Sequence, residues 1–259
     1  MNLPFAKYQG TGNDFILIDN RSKLFDLTQD QIERLCHRRF GIGADGLMLL
    51  ENETGYDFKM VYYNSDGKEG SMCGNGGRCI TRFAYDLGIH KEMYHFIAID
   101  GPHAASIETN GTVRLKMKDV PAIEMHTTFD FVDTGSPHVV KLVPEISEYD
   151  VVGEGRSIRN SPKYKEKGVN VNFVKRVNES GIFVRTYERG VEDETYSCGT
   201  GVTASALVHA HNDLGFNHVS VETNGGHLYV EFDRTGETSF ENIWLAGPAV
   251  KVFEGVALL

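Results

Sequence analysis

The sequence is short of the features that mark several large protein classes. It has no excess of positive charge, because 26 Lys and Arg residues stand against 36 Asp and Glu residues, for a formal net charge of -10. A nucleic-acid-binding protein needs a basic surface to neutralise phosphates, so we expect no nucleic-acid partner. No apolar run approaches the roughly 20 residues that cross a bilayer, and we expect no membrane partner.

Cysteine is also scarce. The chain has four cysteines in 259 residues, and a chain of this length can bury a core without disulfides. Residues 1–10 lack the basic and then apolar layout of a secretion signal. Apolar residues make up 41% and charged residues 24%, as in folded globular proteins. We therefore expect an acidic, cytoplasmic protein of one large or two modest domains.

Glycine, in contrast, is abundant and clustered. The chain has 28 glycines, more than the usual share of about 7%. Clustered glycines mark places where the backbone must approach another group closely. The clusters are Gly10-Thr11-Gly12, Gly41-Ile42-Gly43, Gly74-Asn75-Gly76-Gly77, Gly199-Thr200-Gly201 and Gly225-Gly226.

Strand patterns outnumber helical ones along the chain. Seven runs are rich in β-branched and aromatic residues and predict strands: 15–19, 56–63, 112–117, 170–177, 182–187, 219–223 and 227–232. Hairpin turns are predicted at Glu179-Ser180-Gly181 and at Asn224-Gly225-Gly226. Strands that follow one another directly favour a mostly antiparallel sheet.

Three segments have helical spacing. The first covers residues 28–39 and begins with Thr28 as its N-cap. The second carries an apolar stripe from Ile80 to Leu87 and is predicted to end at Gly88. The third begins near Ala204 and is predicted to end at Gly215.

The second and third helices are preceded by similar tetrapeptides. Cys73-Gly74-Asn75-Gly76 precedes one and Cys198-Gly199-Thr200-Gly201 precedes the other, about half a chain length later. The alternative is a chance match in a glycine-rich chain. The repeat favours a duplicated domain, with residues 1–119 as the half that carries Cys73 and residues 120–247 as the half that carries Cys198.

A cysteine directly before a helix has a distinct chemistry. The first N–H groups of a helix have no internal partners and lie at the positive end of the helix dipole. Such a site can lower the pKa of a thiol from about 8.5 to between roughly 3.5 and 7.5, and it can also hold a carboxylate. Two such thiols suit racemisation, in which one face of a carbon loses a proton and the other gains one. That reaction requires no cofactor.

Other uses of the cysteines and glycines fit less well. The spacing of Cys73 and Cys79 is not that of a zinc site, and we expect no metal. A redox disulfide between Cys73 and Cys198 is an alternative. Cys36 and Cys79 are predicted to be small buried residues. Residues 41–46 match a dinucleotide-binding pattern, but a helix precedes them and a strand follows them, which is the wrong context.

Several longer motifs resemble those of one enzyme family in order and spacing. They are residues 7–15, 41–46, 63–67, 72–79, 135–138, 170–173, 187–190 and 197–201. The chain resembles the diaminopimelate epimerases over most of its length. The resemblance implies an α/β fold of two pseudo-symmetric domains, each a mostly antiparallel, barrel-like sheet around a central helix. The tail, residues 248–259, would complete the first half, and the active site would lie in the cleft between the halves.

The resemblance also implies residue roles in the interconversion of LL- and meso-diaminopimelate for lysine and peptidoglycan synthesis. Cys73 and Cys198 would be the acid and base, and His138 and Glu188 would orient the reacting amino group or tune the thiols. Asn13, Asn64 and Asn170 would hold the distal end of the substrate. Gly74, Asn75, Gly199 and Thr200 would cradle the reacting carboxylate, with Glu188 and Arg189 also in contact. A homodimer is common in the family.

Without the resemblance, plainer roles remain open for several of these residues. Asn13 and Asn64 lie in turn-like contexts, His138 can be a structural histidine, and Glu188 and Arg189 can be a surface pair. Two positions depart from the family pattern: Gly46 replaces a usual glutamine and Ser136 a usual asparagine.

Two further enzyme groups and one class without enzymatic activity are alternatives. Proline racemases and hydroxyproline epimerases also use two cysteines, but they usually carry a histidine where this chain has Asn75. Isomerases similar to PhzF share the duplicated fold without the cysteine pair. A non-catalytic amino-acid-binding module would use the cysteines structurally.

Overall fold

The structure, a computed structural model, describes residues 2–259 and has a mixed α/β fold. The helices in this range are α1 (Gln29–Cys36), α2 (Gly74–Asp86), α3 (Val151–Arg159) and α4 (Gly199–Val208). The strands up to Lys116 are β1 (Asn2–Gly10), β2 (Asn13–Asp19), β3 (Gly46–Glu51), β4 (Phe58–Asn64), β5 (Tyr94–Ala98), β6 (Gly101–Ile107) and β7 (Val113–Lys116). The later strands are β8 (Glu124–Met125), β9 (Asp130–Asp133), β10 (Pro137–Leu142), β11 (Asn170–Asn178), β12 (Gly181–Glu188), β13 (Asp193–Thr195), β14 (Gly215–Thr223), β15 (Gly226–Arg234), β16 (Phe240–Gly247) and β17 (Val250–Leu258).

The chain divides into two compact units. The first consists of the chain up to Leu115 together with Pro248–Leu259, and the second is Lys116–Gly247. In the first unit β17 pairs with β1, so the C-terminal strand completes the sheet that the N-terminal strand begins.

The same series of strand pairings occurs in each unit. In the first unit, β1 and β2 are antiparallel, β2 and β3 parallel, β3 and β4 antiparallel, β4 and β5 parallel, and β5 and β6 antiparallel. In the second unit, β9 to β12 followed by β14 and β15 repeat that series in the same order. The mostly antiparallel, duplicated fold class expected from the sequence is confirmed.

The helices occupy equivalent places in this duplicated topology. Parallel neighbouring strands need a crossover connection. Helices α1 and α3 lie in the first crossover of their units, and α2 and α4 lie in the second. In the first unit α2 packs against β1, β2, β3, β6 and β17, and in the second α4 packs against β9 to β12 and β14 to β16. Each of these two helices is therefore the central helix of its own unit.

The sequence patterns located most of these elements but not all of their ends. Thr28 caps α1, as predicted, and the structure adds a reciprocal capping box with Gln31. The helix ends at Cys36 rather than at residue 39. The predicted hairpins join β11 to β12 and β14 to β15. The predicted end of the third helix at Gly215 is wrong: α4 ends at Val208, and Gly215 begins β14 with a φ of 82°.

Helix α3 was not predicted from the sequence. It contains Gly153 and Gly155, and glycine weakens a helical pattern by about 1 kcal/mol per residue relative to alanine. Tertiary packing explains Gly155, because a Cβ at that position would lie 2.4 Å from the Cβ of Tyr187. Asp150 caps the helix by accepting a hydrogen bond from the backbone N–H of Gly153.

Two negative observations concern residues 2–259 as a whole. None of the helices in this range is long and apolar enough to span a membrane. In the same range, no three His, Cys, Asp or Glu side chains are grouped so that they could hold a metal ion.

Candidate active site

Two cysteines begin the central helices. Cys73 is the N-cap of α2, and its Sγ accepts a hydrogen bond from the backbone N–H of Gly76 at 3.2 Å. Cys198 is the N-cap of α4, and its Sγ lies 3.5 Å from the hydroxyl of Thr200. The predicted position of both thiols at the positive end of a helix is confirmed.

The other two cysteines are buried, as the sequence predicts. Cys36 belongs to the core cluster around Ile32, Leu35 and Leu47, and Cys79 is fully buried in α2. Burial raises the pKa of each of these thiols to about 12. Neither is therefore suited to proton transfer near neutral pH.

Asn13 and Asn75 surround the Cys73 thiol. The Asn13 Oδ1 lies 3.9 Å from the Cys73 Sγ and 3.5 Å from the Asn75 Nδ2, which donates to it. The Asn13 Nδ2 donates to the carboxylate of Asp45. Gly74 and Asn75 form the buried first turn of α2. The first unit thus brings together three of the residues selected from the sequence (Asn13, Gly74 and Asn75) around Cys73.

Asn64 is placed differently. It is exposed at the end of β4, and its backbone closes a turn by accepting from the N–H of Gly67 and donating to the carbonyl of Lys68. The structure therefore shows a turn residue, and a substrate contact by its side chain stays a prediction.

Sequence reasoning missed Arg78, which is the largest fully buried side chain. Its guanidinium donates to the carbonyl of Gly74, the hydroxyl of Thr11 and the Oδ1 of Asn75 at 3.0–3.2 Å. Burial lowers the pKa of Arg78 to about 10, so the group remains a cation at neutral pH. Its place between two glycines and a cysteine in a helix gave no signal that the charge would be buried.

His138 is a fully buried residue of β10 near the first turn of α4. Its Nδ1 lies 3.1 Å from the Nδ2 of Asn172. Asn172 is fixed in turn, because it donates to the carbonyl of Val139 and accepts from the hydroxyl of Thr186. Since the Asn172 amide donates to Nδ1, the proton of a neutral imidazole lies on Nε2. That nitrogen is buried and has no partner within residues 2–259.

Burial, together with the charge of Arg189, lowers the pKa of His138 to about 3. Because the pKa is lower in the folded state, stability is fully present above about pH 6.5 and is lost as the pH falls towards 3. When the pH is lowered from 7.5 to 5.0, we expect the free energy of unfolding to fall by about 2 kcal/mol because of His138. Chemical denaturation at both pH values checks this, with His138→Asn as the comparison. An equal loss in the variant would contradict the assignment.

Asn170, Glu188 and Arg189 come together at the ends of β11 and β12. The Asn170 Oδ1 accepts from the backbone N–H of Arg189 at 2.9 Å, and its Nδ2 donates to the carbonyl of Pro137 at 3.3 Å. Glu188 accepts from the hydroxyl of Thr195 at 2.9 Å. Gly199 and Thr200 lie in the first turn of α4, and the Thr200 carbonyl accepts a hydrogen bond from the hydroxyl of Thr134, in the loop before β10.

Strand register relates the candidate residues of the two units. The first pair of the parallel β2–β3 ladder is Phe15 with Gly46, and the first pair of the equivalent β10–β11 ladder is His138 with Asn170. Phe15 and Gly46 therefore occupy the places in the first unit that His138 and Asn170 occupy in the second. Gly46 pairs in turn with Asn64, the last residue of β4, whereas Glu188 is the last residue of β12. The sites are therefore duplicated in position and have diverged in chemistry.

The structure explains one departure from the family pattern. A Cβ on Gly46 would lie 2.5 Å from the ring of Tyr62 and 2.6 Å from the carbonyl of Tyr63. The Tyr62 ring therefore occupies the space that a glutamine at position 46 would need. Ser136 is partly buried in the loop before β10, and nothing in the structure explains why it replaces asparagine.

The fold belongs to a class that includes solved structures described as a probable proline racemase and a methylitaconate-delta-isomerase. A PhzF-family phenazine biosynthesis protein from Bacillus anthracis matches with a TM-score of 0.76 at 15% identity, over 100% of each chain. A probable proline racemase from Agrobacterium radiobacter K84 matches with a TM-score of 0.69 at 14% identity, over 99% of this chain and 93% of the other. At these identities the likeness shows the fold alone.

Sequence comparison identifies the family within that class. The family model described as diaminopimelate epimerase matches residues 5–122 and 131–252. A diaminopimelate epimerase from Flavobacterium psychrophilum is 51% identical over 250 residues, which are 96% of this chain and 97% of the relative. This chain belongs to the diaminopimelate epimerase family and is an isomerase.

Proposed function

We propose that the protein epimerises LL-2,6-diaminopimelate to the meso form, in the supply of lysine and peptidoglycan precursors. Family membership supports the substrate. The observation that carries the reaction type is the pair of N-cap cysteines, Cys73 and Cys198, at equivalent places in a duplicated topology. Two thiols in equivalent settings suit a reaction in which acid and base exchange roles between the two directions.

In the proposed mechanism, one cysteine thiolate takes the α-proton and becomes a thiol. The other cysteine, starting as a thiol, gives its proton to the opposite face of the same carbon and becomes a thiolate. The backbone N–H groups at the starts of α2 and α4 would stabilise the charge that develops on the carboxylate. This mechanism assigns one thiol to each functional half, residues 1–119 with 248–259 and residues 120–247, and requires both to reach one carbon.

The remaining candidate residues take supporting roles in this proposal. Gly74, Asn75, Gly199 and Thr200 would hold the reacting carboxylate. His138 and Glu188 would orient the reacting amino group, and the neutral His138 would offer its Nε2 proton as a donor. Asn13, Asn64, Asn170 and Arg189 would bind the polar groups of the substrate.

A proline racemase or hydroxyproline epimerase is the rival activity, because solved structures described by these names share the fold. The two activities separate by α-proton exchange in D2O, followed by proton NMR on LL-diaminopimelate and on L-proline. We expect exchange with diaminopimelate only. Exchange with proline alone would overturn the proposal, and exchange with neither substrate would favour an amino-acid-binding module.

We further propose that the enzyme works in the cytoplasm as a homodimer. Its activity needs cysteines in thiol form, which a reducing compartment preserves. Several apolar side chains of β17 are exposed, including Val252 (56%), Val256 (58%) and Leu258 (84%). Exposed apolar strands of this kind mark interaction surfaces. A second copy of this chain is the partner that we propose for β17.

Val256→Lys tests the dimer, because it places a desolvated charge in the proposed interface. We expect the variant to elute as a monomer in size-exclusion chromatography with light scattering at a concentration where the unmodified protein is dimeric. Leu142→Lys is the control, since Leu142 is 47% exposed and lies outside β17. A Val256→Lys protein that remains dimeric would exclude β17 as the interface.

A further inference from the structure

A chain of hydrogen bonds with one direction runs past the Cys73 thiol in the first unit. The Arg78 guanidinium donates to the Oδ1 of Asn75 at 3.0 Å. The Nδ2 of Asn75 donates to the Oδ1 of Asn13 at 3.5 Å, and the Nδ2 of Asn13 donates to the carboxylate of Asp45. The chain therefore begins at a cation, passes through two amides in the same orientation, and ends at an anion.

The charged ends determine the orientation of the amides. Arg78 has only donors, so Asn75 must turn its oxygen towards it; an ionised Asp45 has only acceptors, so Asn13 must turn its NH2 group towards it. With that orientation the Asn13 oxygen lies on the side of the Cys73 Sγ, 3.9 Å away. Hydrogen bonds to charged groups are also about twice as strong as neutral ones.

Asp45 is itself held in place. Its Oδ1 accepts from Nη2 of Arg38 at 2.6 Å, and its Oδ2 accepts from the backbone N–H of Asp14 at 3.2 Å. Arg38 also bonds both oxygens of the Asp14 carboxylate. Asp45 thus has one oxygen committed to Arg38 and the other committed to Asn13.

We propose that Asp45 is a positioning residue that keeps the carbonyl oxygen of Asn13 turned towards the Cys73 thiol. A carbonyl oxygen accepts a hydrogen bond from S–H and favours the thiol, whereas an amide NH2 in its place would donate to sulfur and favour the thiolate. The Gly76 N–H, which donates to the same sulfur, favours the thiolate. Asp45 therefore sets the balance between two opposing hydrogen bonds at Cys73. This role rests on the proposed function only in treating Cys73 as a reacting thiol.

Asp45→Asn tests the proposal, because it presents an NH2 group to Asn13. Arg38 is a cation that bonds Asp45 at 2.6 Å, so it will hold the single amide oxygen in preference to the Asp14 N–H at 3.2 Å, and the NH2 group is left facing Asn13. Asn13 then turns its own oxygen towards position 45 and its NH2 towards Cys73, and in doing so it gives up the long, 3.5 Å bond from Asn75. We expect the pH midpoint for alkylation of Cys73 by iodoacetamide to fall by about one unit, a tenfold change in the thiol–thiolate equilibrium.

Asp45→Ala separates orientation from charge. Both variants remove one negative charge, but alanine presents no NH2 group to Asn13. A larger shift in Asp45→Asn than in Asp45→Ala supports the proposal, and equal shifts in the two variants would overturn it. Arg78 and Cys79, which both interact electrostatically with Cys73, are unchanged in both variants.

Peptide mass spectrometry of the intact protein after alkylation measures the pH dependence of modification at Cys73 and at Cys198 in one experiment. The Cys198 profile is the internal control and is expected to stay unchanged. Asp57→Asn is the matched control variant, because Asp57 also accepts one backbone N–H and pairs with one basic side chain, Lys91. Faster alkylation of both cysteines at every pH would indicate loosening of the fold and would contradict a positioning role.

The alkylation measurement requires no turnover. A shifted Cys73 profile in a protein that does not epimerise diaminopimelate would refute the proposed function and leave this inference standing. An unchanged Cys73 profile in a variant of an active epimerase would refute the positioning role of Asp45 and leave the proposed function standing.

Discussion

Replacing either Cys73 or Cys198 with alanine is expected to lower the rate of epimerisation by about 10²- to 10⁴-fold, the range for loss of a general acid or base. Each thiol serves one face of the reacting carbon in the proposed mechanism, so neither can replace the other. The two single variants and the double variant are therefore expected to be similarly inactive. Epimerisation of LL-diaminopimelate, followed by chiral chromatography, measures the loss.

Cys36→Ala is the control for this pair. Cys36 is buried in the core of the first unit, and its raised pKa keeps it protonated. We expect this variant to retain its rate while losing some stability, because a buried side chain has been shortened. Full activity in Cys73→Ala or in Cys198→Ala would rule out the two-thiol mechanism.

Gly201→Ala is expected to destabilise the second unit by about 3 kcal/mol or more, through overpacking and the loss of buried hydrogen bonds. A Cβ at this position would lie 2.2 Å from the Oδ1 of Asn172. Asn172 cannot move aside without breaking bonds to His138, Val139 and Thr186. A fall in the thermal midpoint of about 6 to 12 °C would correspond to this loss in a chain of this size.

Gly76→Ala is the matched variant, since Gly76 follows Cys73 at the same interval at which Gly201 follows Cys198. A Cβ on Gly76 would lie 3.2 Å from the Cys73 Sγ and 3.4 Å from the end of the Met48 side chain, which is flexible. The higher helix propensity of alanine, about 1 kcal/mol, offsets this crowding. An equal fall of the thermal midpoint in the two variants would show that the contact with Asn172 does not cause the destabilisation of Gly201→Ala.

The sequence predicted that Cys73 and Cys198 begin helices, and the structure confirms it, because their local signals are strong. A cysteine followed by small residues and then by an apolar stripe marks a helix start, and the repeated tetrapeptide links Cys73 to Cys198. The strand patterns were equally direct where apolar and polar residues alternate, as they do in β15. Local patterns of this kind were sufficient for the fold class.

What the sequence could not show depends on contacts between distant residues. Nothing in the sequence near Arg78 or Asn172 indicates that both would be buried and hydrogen-bonded. The replacement of glutamine by Gly46 is intelligible only beside the Tyr62 ring. Helix α3 was missed because its glycines lower the local helix signal, while the packing that offsets them comes from Tyr187.

The position of β17 has a consequence for synthesis on the ribosome. β1 pairs with β17, so the strand that is made early waits for the one made much later before the sheet of the first unit is complete. The second unit is continuous in sequence, so it can finish folding while the first still lacks a strand. The half that is translated first is therefore the last to be completed.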